Sequence, residues 1–178
     1  MGKMITAGGA EFWVDRRGHG RSLVLVSTWA RMDAYSLSLT GFWHWLVDVA
    51  PSERAMLEAF FLWIYTPRAH ADGFVERTIE QALAFEHPQS AEAFQRQLDP
   101  FRIHDTLDRL PAIAAPTLVL AGEVDISAPP RLGRLVAERI PGAEFEVLPG
   151  EAHQPFQEVP DVFNARVDAF WQKVAGQG

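Results

Sequence analysis

Two residues have the type and spacing for proton-transfer chemistry: Asp125 and His153. Asp125 follows the apolar run 117–121 (TLVLA) and Gly122, and His153 follows the run 144–148 (EFEVL) within PGEAH. Both runs read as short strands, so each residue falls just past a strand's carboxyl end. An acid and a histidine so placed suit a charge-oriented imidazole. The carboxylate fixes the tautomer and stabilises the imidazolium, and the other ring nitrogen is left to take a proton. Spacing alone suggests this chemistry and names no substrate.

The elements that must position the pair follow from the surrounding pattern. Residues 117–121 are almost wholly apolar between Pro116 and Gly122, the signature of a strand covered on both faces of a parallel sheet. In open α/β sheets the carboxyl rim is where ligands gather, because its loops vary on a rigid scaffold. Leu132, Leu135, Val136 and Ile140 give residues 130–140 helical spacing, and Pro160 opens a last amphipathic helix through Val162, Phe163, Val167, Phe170 and Trp171. Upstream, residues 5–15 predict two short strands turning at Gly8-Gly9, RRGHGRS (16–22) a turn, and LVLV (23–26) another buried strand ending in Ser27. The G-x-G in that turn lacks the third glycine and the strand-to-helix setting of a phosphate loop.

From Tyr35 to Leu110 the period is helical. One face is expected through Phe42, Trp45, Leu46 and Val49, and the next through Met56, Leu57, Phe60, Phe61 and Ile64 after the start signal Pro51-Ser52-Glu53. Further helices are expected over 71–85 and 90–98, the latter capped by Ser90. Most of the aromatics lie here. Singly they read as packing residues, and together they offer an apolar pocket.

At 178 residues, 48% hydrophobic and 22% charged, the chain suits one domain spanning 1–178. A net charge of -7 with 16 scattered Lys and Arg argues against a nucleic-acid partner. Without cysteine there is no disulfide, thiolate metal site or thiol nucleophile. No apolar run reaches the roughly 18 residues of a membrane span, and MGKMITAGG lacks a signal peptide's apolar centre. The expectation is a cytoplasmic protein without membrane association, cofactor or metal.

From Ser22 onward the chain resembles an α/β-hydrolase. LVLVSTWAR resembles that fold's sixth strand, residues 35–110 its helical cap, IAAPTLVLAGEVD its seventh strand with the acid, and PGEAHQPFQEVPDVFNARVDAFW its eighth strand, histidine loop and closing helix. The opening hairpin is also similar. The resemblance implies an α/β fold with a small, mainly parallel sheet, Asp125 as the triad acid, His153 as the general base, and hydrolysis of an ester, lactone or related bond. One departure is large: no G-x-S-x-G nucleophile motif occurs anywhere in the chain. The family's segment carrying strands three to five and the first oxyanion donor has no counterpart between Gly20 and Leu23.

Among the serines present, Ser27 is the best candidate for a replacement nucleophile, because it lies on the correct rim. Ser22 lies on the opposite rim, and Ser127 is expected to bond its own loop backbone. No sharp strained turn is expected around any of them. Asp33 is an alternative acid, and Gln154 and Glu158 are expected to brace the histidine loop. His19, His44, His70, His87 and His104 lack metal-ligand spacing. Trp29, Trp43, Trp63 and Phe156 are the expected substrate-binding residues for a small, mainly apolar molecule. Loss of the family's neighbouring strands exposes the edge of 23–26, so the opening hairpin is expected to cover it, or two copies to pair there as a homodimer. The expected function is weak or no hydrolysis of an ester- or lactone-like compound. The alternatives are a non-catalytic binding module or an inactive, internally deleted remnant.

Overall fold

The central strand is buried along its whole length because it is covered on both edges and both faces. In a computed structural model, which describes residues 22–176 and, as backbone, 3–7 and 10–14, this strand is β4 (Thr117–Gly122). It lies between β3 (Leu23–Val26) and β5 (Glu144–Leu148), parallel to both. The register pairs Leu25 with Val119 and Val119 with Phe145, so these side chains share one face of the sheet. That face meets Val136, Ala137 and Ile140, which belong to or directly follow helix α6 (Pro130–Arg139). The opposite face, Val24, Val26, Leu118 and Leu120, meets Phe163, Val167 and Phe170 of the closing helix α8 (Pro160–Ala175). The result is an α/β fold with helices on both sides of a small parallel sheet, as the strand pattern predicts.

Between β3 and β4 the chain runs through α1 (Ala34–Val49), α2 (Glu53–Phe61), α3 (Pro67–Ala71), α4 (Phe74–Leu83) and α5 (Ala91–Leu98), then two 3-10 turns at Asp99–Arg102 and Leu107–Ala112. Asp33, Ser52, Thr66 and Ser90 cap α1, α2, α3 and α5 with side-chain oxygens. The expected single helix over 71–85 is broken by Gly73, whose φ of 76° is left-handed and ends one helix before the next begins. This section has its own apolar core around Phe61, Ile64, Tyr65, Val75 and Ile79.

Two packing expectations are corrected. In α1 the buried stripe is Leu39, Trp43 and Leu46, whereas Phe42, Trp45 and Val49 are exposed. The helix carries two apolar stripes, and periodicity cannot say which one meets Leu98, Phe60 and Phe94. In α8, Val167 and Phe170 are buried while Val162 and Trp171 are half exposed. A third correction concerns the sheet edge. β1 (Lys3–Ala7) and β2 (Ala10–Val14) pair antiparallel with each other in a separate two-stranded sheet, so the hairpin does not extend the sheet at β3. The Gly8-Gly9 turn, residues 15–21 with His19, and the final Gln177-Gly178 lie outside the described residues.

Gly122 ends β4 where a Cβ would run into the carbonyl oxygens of Ala152 and Glu151. Gly122→Ala is therefore expected to cost more than about 4 kcal/mol or abolish folding, because two backbones would have to separate. Leu120→Ala, which leaves a void at a fully buried position, is expected to cost about 2–5 kcal/mol. Chemical denaturation of both variants checks this ranking.

Candidate active site

β4 and β5 end side by side, and their loops touch by backbone. Glu123 N–H donates to the Leu148 carbonyl at 3.0 Å and Val124 N–H to the Glu151 carbonyl at 3.0 Å. The acid loop is tightened by the Asp125 carboxylate itself. Its Oδ1 accepts from Ser127 N–H and Ala128 N–H, each at 2.8 Å, an Asx-type turn. Its Oδ2 is left for His153 Nδ1, 2.9 Å away. Asp125 is 3% exposed, so this oxygen faces the imidazole out of water. A carboxylate only accepts, so Nδ1 carries the proton and Nε2 is the basic nitrogen. Among the described residues Nε2 has no hydrogen-bond partner, and the His153 side chain is 22% exposed. The sequence-predicted acid and histidine thus form one hydrogen-bonded pair.

The histidine's backbone is held from both sides. Its N–H donates to the Ile64 carbonyl at 3.1 Å, and its carbonyl accepts the Ser27 hydroxyl at 2.7 Å. Ser27 is therefore brought to the histidine's main chain, with its hydroxyl on the carbonyl and not on the ring. Its backbone corrects an expectation: φ is 47°, the only left-handed non-glycine residue among those described. The chain does turn sharply there.

The segment from Trp63 to Arg68, at the end of α2 and the start of α3, grips both loops. Ser127 Oγ donates to the Trp63 carbonyl at 2.8 Å, so this serine braces the helical section and not its own loop. Tyr65 donates its hydroxyl to Gln157 at 2.8 Å. Thr66 donates N–H at 3.3 Å, and also its hydroxyl, to Glu158. Arg68 forms two hydrogen bonds to Glu151, at 3.2 and 2.7 Å. Glu158, on α7 (Pro155–Glu158), has a side chain only 1% exposed. Burial pushes its carboxyl up from the ordinary value, Glu151 adds to this, and the Thr66 hydrogen bonds and Arg68 oppose it. The Tyr65 phenol is pushed up to about 12 by burial and by the charge of Glu158, so it stays a donor. Gln154 and Glu158 thus do brace the histidine loop, with Gln154 3.4 Å from Tyr65.

The other candidates fall elsewhere. Asp33 caps α1 and pairs with Arg131 at 2.6 Å. Trp43 is buried against Phe60 in the helical core. Phe156 packs on Phe163 of the closing helix. Trp29 meets Phe101 edge-on, and Trp63 stacks obliquely with Phe42. His44 pairs with Asp99 and His70 lies 3.4 Å from the Phe61 carbonyl. Among the described residues no group of three or more His, Cys, Asp and Glu could hold a metal, and no helix is long and apolar enough to cross a membrane. What periodicity missed is the Trp63–Arg68 turn, whose signal in sequence was only the N-cap Thr66-Pro67. A cavity of about 670 Å³ lies within the helical section, lined by Met56, Leu57, Phe60, Phe61 and Phe94 among others, and the pair does not line it.

No family model matches the chain. Among curated proteins, the pimeloyl-[acyl-carrier protein] methyl ester esterase of Neisseria meningitidis serogroup B is 30% identical over 158 residues, covering 82% of this chain and 57% of that one. RutD of Klebsiella pneumoniae, which carries the name of a carbamate hydrolase, is 27% identical over 156 residues, covering 88% of this chain and 58% of that one. The chain thus spans less than two thirds of the length of these relatives. Among solved structures, MGS-M2, an α/β-hydrolase enzyme from a deep-sea metagenome library, superposes with a TM-score of 0.73 at 23% identity, over 85% of this chain and 56% of that one. Matched in sequence to curated hydrolases and in fold to an α/β-hydrolase, the chain is related to the α/β-hydrolases and has a shortened form of their fold.

Proposed function

We propose that the chain provides the acid–base pair of a hydrolase centre and acts on, or binds, a small and mainly apolar ester- or lactone-like molecule. The carrying observation is the 2.9 Å contact between His153 Nδ1 and an Asp125 carboxylate already fixed by two backbone N–H groups. The names of the two curated relatives, a methyl ester esterase and a carbamate hydrolase, both describe transfer of an acyl group to water.

In this reading His153 Nε2 takes a proton from water while the resulting hydroxide adds to the substrate carbonyl carbon. The imidazolium, stabilised by Asp125, then returns that proton to the leaving alkoxide as the carbon–oxygen bond breaks. Water is favoured over Ser27 because the serine hydroxyl already donates to the His153 carbonyl. The helical section acts as the cap over the pair, with Trp29 and Trp63 lining the substrate side. Turnover is weak. There is no G-x-S-x-G motif to supply an activated serine and its neighbouring N–H donor, and one oxyanion donor is worth ~10²–10³ in rate.

A second reading is favoured by a different observation, the apolar cavity of about 670 Å³ set away from the pair. There the chain is a binding module for an apolar small molecule, and His153 is idle.

Hydrolysis of p-nitrophenyl butyrate, together with fluorophosphonate labelling read by intact mass, separates the readings. The expected result is slow turnover, at least ~10²-fold weaker in His153→Ala, the usual contribution of a general base, weaker also in Asp125→Asn, and with no adduct. Turnover unchanged in folded His153→Ala would overturn the acid–base reading. A stoichiometric serine adduct that vanishes in His153→Ala would overturn the water route.

A further inference from the structure

Ser27 combines two features that nothing in the sheet requires. It is the sole non-glycine residue with a left-handed backbone among those described, φ 47°, and its hydroxyl donates at 2.7 Å to the main-chain carbonyl of the very histidine that faces Asp125. A β-carbon in that conformation is unfavourable, and strain of this kind persists only where the surroundings enforce it. The backbone here is anchored by the Ser27 N–H, which donates to the Leu120 carbonyl at 3.0 Å as the last rung of the β3–β4 ladder. From that fixed point the left-handed turn delivers a hydroxyl across 126 residues of sequence to the histidine loop.

We propose that Ser27 is a positioning residue for His153. Its strained turn exists to pin the His153 carbonyl, and with the Ile64 carbonyl on the His153 N–H it sets the direction of the imidazole toward Asp125. This rests on the reading of His153 as the general base. The histidine's peptide units are bonded on both flanks, so the ring's only large freedom is rotation about its own side-chain bonds. The Asp125 contact removes that. With the Ser27 bond lost, the carbonyl side of the loop is free to rotate and the Nδ1–Oδ2 distance is no longer enforced.

The test separates positioning from stability, because the two respond oppositely to one substitution. Ser27→Gly accepts the left-handed conformation without strain and deletes the hydroxyl. In ¹⁵N-histidine-labelled protein, wild type is expected to show a low-field, slowly exchanging Nδ1–H proton for His153. Ser27→Gly is expected to unfold within about 3 °C of wild type, yet to broaden that signal or exchange it about fivefold faster, the factor that one net hydrogen bond corresponds to. Ser27→Ala keeps the strain without the bond, and is expected to show the same loss of signal with a lower unfolding temperature. An unchanged Nδ1–H signal in folded Ser27→Gly would overturn the proposal while leaving the Asp125–His153 pair intact. Absence of the signal in wild type would overturn the pair and the proposal together. A fluorophosphonate adduct on Ser27 would make it a nucleophile instead. Failure of both variants to fold would reduce Ser27 to a structural residue.

Discussion

The site depends on one close approach, that of the Glu151–Ala152 backbone to Gly122. Only a residue without a β-carbon lets the two strand-end loops come so near, because a methyl group there would occupy the space of two carbonyl oxygens. Once they meet, hydrogen bonds from Glu123 and Val124 to the β5 side fix their register. The 2.9 Å separation of Asp125 and His153 is then a consequence of backbone packing, with little left for the side chains to find. This is why a carboxylate and an imidazole 28 residues apart in sequence form a defined pair.

The helical section contributes a second constraint. Trp63, Ile64, Tyr65, Thr66 and Arg68 each bond to the acid loop or the histidine loop, five anchors within one turn and a helix start. These anchors bury a charge. Glu158 would be costly in so closed a place if it were unpartnered, and its Thr66 and Arg68 contacts offset part of the cost while burial still raises its carboxyl. Breaking one partner would leave the others stranded, so the turn and the loop are held or released as a unit.

Much of this was legible in the residues alone. The apolar run before Gly122, the acid three residues on and the histidine after EFEVL are short-range signals, and the sheet, its helices and the pair follow from them. Asp33 as a cap for α1, the buried stripe of that helix and the left-handed turn at Ser27 were not legible. Each is decided by contacts between distant segments. Phe42 and Trp43 are equally apolar, and only the presence of Leu98 and Phe60 on one side of α1 selects the tryptophan for burial. Nothing in VST tells that the serine leaves the strand with positive φ, because the reason is a carbonyl 126 residues away. Gly122 was visible as a strand end, but its role as the point of approach needed the partner loop.

The pair is also self-contained. Apart from the bond between the two side chains, every described hydrogen bond that orients Asp125 or His153 comes from residues between Ser27 and Ala128: the N–H groups of Ser127 and Ala128, the carbonyls of Gly122 and Ile64, and the Ser27 hydroxyl. The geometry of a charge-oriented imidazole therefore needs no nucleophile segment to hold it. What such a segment would add in this superfamily is a reacting group opposite Nε2 and donors for the developing oxyanion, which are separate contributions to rate. A fold can thus keep the paired geometry of an acid and an imidazole independently of a nucleophile segment. Any chemistry at Nε2 would then be set by whichever hydroxyl, from water or another molecule, reaches that side of the ring.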